Sequence, residues 1–198
     1  KRLLEIGSGS GALSILAASM GWEVEACDIN PFAAAATRFN ALENNLEITS
    51  SEGGIGPEAD GHHTQWMKPG TYDMAVWNMP YIPASEIEEY LGPMEDAALV
   101  DTHPSGLLGE FAEMMARFKL TSPTGIALVL CRELVNSQRA QDVLLAKGLA
   151  TQMVSKHTFD DGETIQVLAV WHPFLKSKKQ QMHSVSSTRT WNDMNPTA

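Results

Sequence analysis

At 198 residues, 43% of them hydrophobic, the chain fits one globular domain with a full core and is short for two. No apolar run approaches the length of a membrane span, the first residues already read as a strand and not a signal peptide, and two cysteines make neither a disulfide nor a metal framework. Charge is uneven: Lys176, Lys178, Lys179 and Arg189 against Asp193 give the end of the chain +3, which leaves −13 for residues 1 to 173 within a total of −10. Such an acidic body disfavours unaided binding to a polyanion, because phosphate contact needs Lys and Arg to displace counterions.

The first element is LLEIGSGSGALSILAA, from Leu3 to Ala18. Leu3, Leu4 and Ile6 read as a short buried strand, Gly7, Gly9 and Gly11 as a tight turn, and Ala12 to Met20 as a helix. Leu13, Leu16, Ala17 and Met20 give that helix a period near 3.6. A strand feeding a glycine-rich turn and a helix N-terminus is a cradle for a ligand, since the backbone can approach closely and the first-turn N–H groups lack intrahelical partners. The spacing Gly7-x-Gly9-x-Gly11 leaves two ligand families open, because Ala12 also completes a dinucleotide pattern G-x-G-x-x-A. Glu5, an acid within the apolar strand, leans towards a cationic ligand such as S-adenosylmethionine, because a buried carboxylate is costly unless something positive faces it. The plainer alternative is a ligand-free α/β turn with Glu5 at a solvated strand end.

Trp22 to Ile29 alternates, with Val24 and Ala26 on one face, and reads as a second strand ending at Asp28, 17 residues after Gly11. In doubly wound sheets an acid at this strand end accepts hydrogen bonds from ribose hydroxyls; Asp28-Ile29-Asn30-Pro31 also looks like a helix cap. A helix is expected from Phe32 to Asn45 and a short third strand from Leu46 to Ser50. A long polar loop then runs from Ser51 to Thr71. Glu52 lies where such folds place a polar group near an adenine, and Asp60 is a weaker candidate. His62 and His63 are adjacent and have no spaced partner with which to hold a metal, so none is expected.

Tyr72 to Trp77 reads as the fourth strand and delivers Asn78-Met79-Pro80-Tyr81 at its carboxyl end, the side on which open α/β sheets bind ligands. Pro80 keeps Met79 extended, which aims its carbonyl outward. The Asn78 side-chain oxygen and that carbonyl can accept both hydrogens of a planar –NH2 group, while Tyr81 offers a ring to pack it. An Asn-x-Pro-Tyr turn after a strand is common by itself; two such motifs at matching ends of one sheet are not.

The turn, the acid in DINPFAAA and the NMPY segment together resemble class I S-adenosylmethionine-dependent methyltransferases with an Asn-Pro-Pro-Tyr motif. They are most similar to the HemK/PrmC-like branch of archaeal and eukaryotic type, which methylates the glutamine of a Gly-Gly-Gln motif in peptide-release factors. The resemblance runs from about Leu3 to Trp171. It implies a Rossmann-like, doubly wound, mostly parallel seven-stranded sheet with one antiparallel strand. It implies S-adenosylmethionine, released as S-adenosylhomocysteine, on Glu5, Gly7, Ser8, Gly9, Gly11, Asp28, Ile29, Glu52 and Asn78, and the target amide on Asn78, Met79, Pro80 and Tyr81. A release factor as substrate and a small activating subunit are the implied partners, with direct nucleic acid and membrane partners not expected. This chain departs from the family in having Met79 where the motif has its first proline, and in lacking paired glycines in ALVDTHPSGLLGEF. Methylation of adenine or guanine amino groups uses the same geometry and is the runner-up; a nicotinamide-dependent oxidoreductase would leave NMPY idle; a catalytically silent interaction subunit is the last rival.

The remainder reads as scaffold. Pro83 to Leu99 is expected to form a partly helical acidic lid carrying Glu86, Glu88, Glu89, Glu95 and Asp96, and Leu107 to Leu120 an amphipathic helix with its methionines in the core. Gly125 to Cys131 is the fifth strand, Leu134 to Lys147 a helix, Leu149 to His157 the sixth strand, and Thr164 to Trp171 a last strand antiparallel beside the fifth. His103, His157 and His172 read as surface or satisfied residues. Cys27 and Cys131 fall in strands as reduced thiols, which fits cytoplasm. The methyltransferase-like domain is thus expected over 1–173, with further sequence upstream of Lys1, and 174–198 as a polar tail.

Overall fold

The computed structural model describes residues 1–55, 68–87, 92–103, 106–135 and 138–173. Asp60, His62, His63, Glu88, Glu89 and the expected tail over 174–198 lie outside them. The chain runs β1 (Arg2–Ile6), α1 (Ala12–Ser19), β2 (Glu23–Asp28), α2 (Pro31–Glu43), β3 (Ile48–Glu52) and β4 (Met74–Asn78). It continues through β5 (Ile82–Pro83), a 3-10 turn (Ala84–Glu86), α3 (Pro93–Leu99), β6 (Val100–Asp101) and α4 (Leu107–Ala116). The last part comprises β7 (Ile126–Arg132), β8 (Leu134–Val135), β9 (Gln138–Arg139), α5 (Ala140–Ala146), β10 (Ala150–Thr158) and β11 (Thr164–Trp171).

Seven strands form the main sheet in the order β10-β11-β7-β4-β1-β2-β3. Neighbours from β7 through β3 are parallel, whereas β11 runs antiparallel to both β7 and β10. This is the expected doubly wound α/β sheet with its single reversed strand. The order turns back at β1, which lies between β4 and β2, so the carboxyl ends of β1 and β4 flank the switch point where such sheets bind ligands.

The main core packs α4 against one face of the sheet. Leu108, Phe111, Ala112 and Met115 on α4 meet Ile6, Trp77, Val129, Cys131 and Leu168. Met114 and Met115 are buried, as their helical spacing predicts. A smaller cluster on the other face joins Leu3, Ala17 and Val24 to Trp22, Ile48 and Val76. Each large apolar side chain so buried contributes roughly 1.5–3 kcal/mol. Burial holds both thiols protonated: it pushes Cys131 up to about 12 and Cys27 further.

Several local expectations are corrected. The sheet-facing side of α1 is made by Ser14 and Ala17, while Leu13, Leu16 and Met20 are exposed. The cause is the closeness of the turn: Gly11 lies against Thr37, and Ser14 must reach Glu5, so only small side chains fit inward. Phe32, Phe39 and Leu42 on the neighbouring α2 are exposed too. The helix expected from Leu134 begins at Ala140, because β8 and β9 pair first as a short antiparallel ribbon. β3 starts and ends two residues later than expected, which makes Glu52 its last residue. β4 begins at Met74, leaving Tyr72 before it as a buried anchor. β5 and β6 form a small parallel pair that the sequence did not betray.

Glu25 is buried as well as Val24 and Ala26, because β2 is an interior strand covered on both faces. Its carboxylate accepts hydrogen bonds from the Arg2 guanidinium at 2.6 Å, the Tyr72 hydroxyl at 2.6 Å and the Lys68 ammonium. Burial opposes ionisation of Glu25, but these three donors outweigh it and hold the carboxyl below its ordinary range. His172 is also buried, stacked on Phe118 with ring centroids 3.9 Å apart, and its Nε2 has no hydrogen-bond partner among the described residues. Burial lowers its affinity for a proton. Among the described residues, no helix is long and apolar enough to cross a membrane.

Candidate active site

The turn after β1 requires glycine. Gly7, Gly9 and Gly11 all have positive φ, at 67°, 56° and 84°, a region L side chains rarely adopt. A Cβ on Gly11 would lie 3.0–3.2 Å from Thr37, so α2 would have to shift away from the start of α1 to admit it. A Cβ on Gly9 would meet nothing within 4 Å, which leaves open space over the middle of the turn. α2 holds the turn from beside it: the Thr37 hydroxyl pairs with Ser8 Oγ at 2.9 Å and donates to the Gly9 carbonyl at 3.1 Å, and Asn40 donates to the Ser10 carbonyl at 2.8 Å. Thr37 and Asn40 were not singled out from the sequence. Their signal was two polar residues three apart in a helix whose inward face is otherwise alanine.

Glu5 is 4% exposed, and its Oε2 accepts the backbone N–H of Ser14 at 2.9 Å and the Ser14 hydroxyl. Burial nevertheless raises its proton affinity above the ordinary carboxylate value, because neither partner carries a full positive charge. Asp28 ends β2 with both oxygens on backbone: Oδ2 accepts from Gly9 at 2.8 Å and Oδ1 from Asn30 at 2.9 Å. The α2 cap is not Asp28 but Asn30, whose Oδ1 accepts the Phe32 N–H at 2.9 Å ahead of Pro31 at the first helical position. Ile29 packs beside Gly54, where an added Cβ would lie 3.5 Å from its Cβ. Glu52 stands in register with Asp28 and is exposed.

The second motif comes to the same edge. β4 pairs with β1 through Ile6 and Trp77, which places Asn78 one residue past the end of that pairing. A Cβ on Gly7 would lie 3.5 Å from Trp77 Nε1 and 4.0 Å from the Asn78 carbonyl oxygen. Asn78 is exposed, Pro80 and Tyr81 are half-buried, and Met79 is 2% exposed. Met79 therefore does what a proline could not: its side chain sits in the main core and its N–H donates to the Leu130 carbonyl at 3.4 Å. Trp77, absent from the sequence-based site, walls the turn.

Beyond Asn78 the chain lines a cleft with Met79, Tyr81, Pro83, Asp101, His103 and Arg132. Asp101 closes the start of α4, where its carboxylate accepts the Leu107 N–H at 2.9 Å and the His103 N–H at 3.0 Å. The His103 ring faces Glu110 at 3.4 Å. Together these residues make a backbone cradle with a buried acid behind it, an acid clamping it from β2, and an exposed amide acceptor beside it. Such a cradle can hold a ligand with a cationic end and place that ligand next to a planar amine.

The chain matches no family model. It is 34% identical over 90 residues to a provisionally named protein N5-glutamine methyltransferase of Methanocaldococcus jannaschii, covering 45% of this chain and 41% of that protein. It is 38% identical over 80 residues to ribosomal protein L11 methyltransferase of Ralstonia nicotianae, covering 40% of this chain and 23% of that one. The chain thus spans less than half the length of these curated relatives. Among solved structures, the 16S rRNA N2 G1207 methyltransferase RsmC of T. thermophilus, in complex with AdoMet and guanosine, superposes with a TM-score of 0.56 at 19% identity, over 86% of this chain and 37% of that one. The N-terminal domain of human METTL16 in complex with SAH gives 0.57 at 16% identity, over 86% of this chain and 61% of that one. By sheet order and by this likeness, the chain has the seven-stranded Rossmann-like fold of these methyltransferases.

Proposed function

We propose that this chain binds S-adenosylmethionine in the Gly7–Gly11 turn and catalyses methyl transfer to a planar amide nitrogen at Asn78–Tyr81, the acceptor being the glutamine of a peptide-release factor. The observation that carries the reading is the meeting of the two motifs: the Asn78 carbonyl oxygen lies 4.0 Å from where a Gly7 Cβ would be. The residues fit the cofactor. Open space above Gly9 gives its backbone room, Glu5 and Asp28 supply negative charge near a cationic ligand, and Asp28 retains lone pairs for ribose hydroxyls. Bound there, S-adenosylmethionine would supply a methyl group made electrophilic by its sulfonium.

The chain's own part is positioning. The Asn78 side-chain oxygen and the Met79 carbonyl accept the two hydrogens of the –NH2 group, which turns its lone pair out of conjugation and towards the methyl group. As the N–C bond forms the C–S bond would break, leaving S-adenosylhomocysteine, and the surplus N–H proton passes to solvent water. Tyr81 packs against the amide plane. Fixed acceptors of this kind lower a barrier by several kcal/mol without a strong base, roughly what alignment and preorganised dipoles supply in other sites. The 34% identity to a relative named for N5-glutamine methylation supports the choice of a protein amide. An adenine or guanine amino group would fit the same two acceptors, but the acidic body weighs against a nucleic-acid acceptor.

Calorimetric titration with S-adenosylmethionine, S-adenosylhomocysteine and NAD tests the cofactor. Micromolar binding of the first two without NAD supports the reading, and binding of NAD alone overturns it. Incubation with labelled S-adenosylmethionine and either a release factor or total RNA then tests the acceptor: label on the Gly-Gly-Gln glutamine is expected, and label on RNA alone would replace the protein substrate with a purine.

A further inference from the structure

The segment that must hold the acceptor amide is fastened from its far side by one arginine. Arg132 is the last residue of β7, the strand that pairs with β4 through Asn78 and Leu130. Its guanidinium Nη1 donates to both oxygens of Glu86, at 2.9 and 2.8 Å, and its Nε lies 2.7 Å from Glu163, the residue just before β11. Glu86 ends the 3-10 turn that directly follows Asn78-Met79-Pro80-Tyr81 and β5. Arg132 also lines the cleft together with Met79 and Tyr81. The Arg132 side chain is mostly buried and that of Glu86 is half exposed, so the pair is not a freely solvated surface contact.

The need for such a fastening follows from Met79. A proline there would fix its own φ and remove freedom on the amine-binding side of the turn. Met79 has no ring to fix its φ, and Pro80 confines it only to the broad extended region; its buried side chain and its bond to Leu130 secure the upstream end of the segment. The downstream part, residues 81–86, pairs with β6 through Ile82 and Pro83 and is tied to the main sheet by the ion pair of Glu86 with Arg132.

We propose that Arg132 is a positioning residue that, through Glu86, holds the segment after Asn78 in the shape that presents the Met79 carbonyl and the Tyr81 ring to the acceptor. The proposal rests on the functional reading above for its consequence in catalysis, but not for the clamp itself. Arg132 touches no reacting atom. It acts by shortening the range of loop conformations, as charge-assisted and bidentate contacts do.

The test is amide hydrogen exchange across residues 81–87 in the wild-type chain, Glu86→Gln, Arg132→Gln, the double variant, and Glu133→Gln as a neighbouring surface control, each with its melting temperature. Glu133 faces Lys156 at 3.5 Å and does not touch the segment. Exchange in 81–87 is expected to rise about threefold or more in Glu86→Gln and Arg132→Gln, as loss of a partly exposed pair permits, and no further in the double variant. Exchange unchanged in Glu86→Gln, or additive in the double variant, overturns the clamp. In parallel, kcat for methylation of a Gly-Gly-Gln release factor should fall at least about tenfold in both single variants, with the KM for S-adenosylmethionine unchanged, since misplacement of this size has that effect. A faster-exchanging loop with unchanged kcat would also overturn the positioning role. A wild-type chain inert towards the release factor would instead count against the acceptor assignment, and the exchange data would still decide the clamp.

Discussion

The Gly9 amide hydrogen is donated to Asp28 Oδ2 across 2.8 Å, so the acid at the end of the second strand fixes the middle of the turn after the first. The same carboxylate also receives the Asn30 N–H. Asp28 is therefore a structural pin, and in the proposed function it also meets the ribose. Asp28→Ala should weaken S-adenosylmethionine binding about ten- to hundredfold, the range for losing hydrogen bonds to a charged group. Calorimetry reads this directly, and unchanged affinity would remove Asp28 from the ligand site.

Gly11 has φ +84°, and a Cβ there would press on Thr37 at 3.0–3.2 Å. Gly11→Ala should cost about 1–3 kcal/mol, visible as a melting temperature lowered by about 2–4 °C per kcal/mol. A second change, Thr37→Ala, should not restore it. The nearest atoms include the Thr37 Cα and Cβ, and the positive φ persists.

Asn78→Ala should cut single-turnover methyl transfer at saturating S-adenosylmethionine about a hundredfold or more, as removal of a preorganised acceptor does, whatever share Asn78 has in holding the cofactor. Asn78 is exposed, so the fold has little to lose from the change. A rate unchanged by the substitution would refute the two-acceptor mechanism.

Glu5 separates stability from binding. Burial raises its folded proton affinity, so the folded state keeps a proton at higher pH than the unfolded chain does. Its contribution therefore worsens as pH rises from about 4.5 through the folded value. Glu5→Gln keeps an acceptor for Ser14 and removes that loss. The ligand-free variant should melt higher than wild type at pH 7 and equally at pH 4, while its S-adenosylmethionine affinity falls about tenfold or more. Tighter or equal binding would show that no cation faces Glu5.

Glu25 behaves oppositely. Its folded proton affinity is held down by Lys68, Tyr72 and Arg2 against the cost of burial, so its stabilisation is present above about pH 4.5 and is lost as pH falls through the folded value. Glu25→Gln should cost about 3 kcal/mol at pH 7, since it leaves Arg2 and Lys68 without their buried partner. Chemical denaturation from pH 7 to pH 3 should show the difference shrinking as the pH drops.

The backbone of the site was legible because it depends on residue types with few alternatives. Three glycines with positive φ, an acid at a strand end and a proline after Met79 each restrict the main chain locally, and the parallel sheet then brings them together. What the sequence concealed depends on distant partners. Glu25 lies in a segment whose alternation gives no sign that β2 is interior, and Arg132 lies one residue past the strand expected to end at Cys131, with only the fold bringing Glu86 and Glu163 to it. The exposed face of α1 misled for the reverse reason. Leu13, Leu16 and Met20 have helical spacing, but the inward side was already taken by smaller residues that the turn demands. The ribbon of β8 and β9 is too short for any periodicity to reveal.

The ionic cluster around Glu25 sits towards the amino ends of the strands, with Arg2, Tyr72 and Lys68, whereas Gly7, Asp28 and Asn78 occupy the carboxyl ends. Only a strand of five residues separates the two in β1, yet they share no side chain. Heat tolerance and chemistry are consequently separable in this chain: a substitution at one rim of the sheet can alter the first without touching a residue of the other.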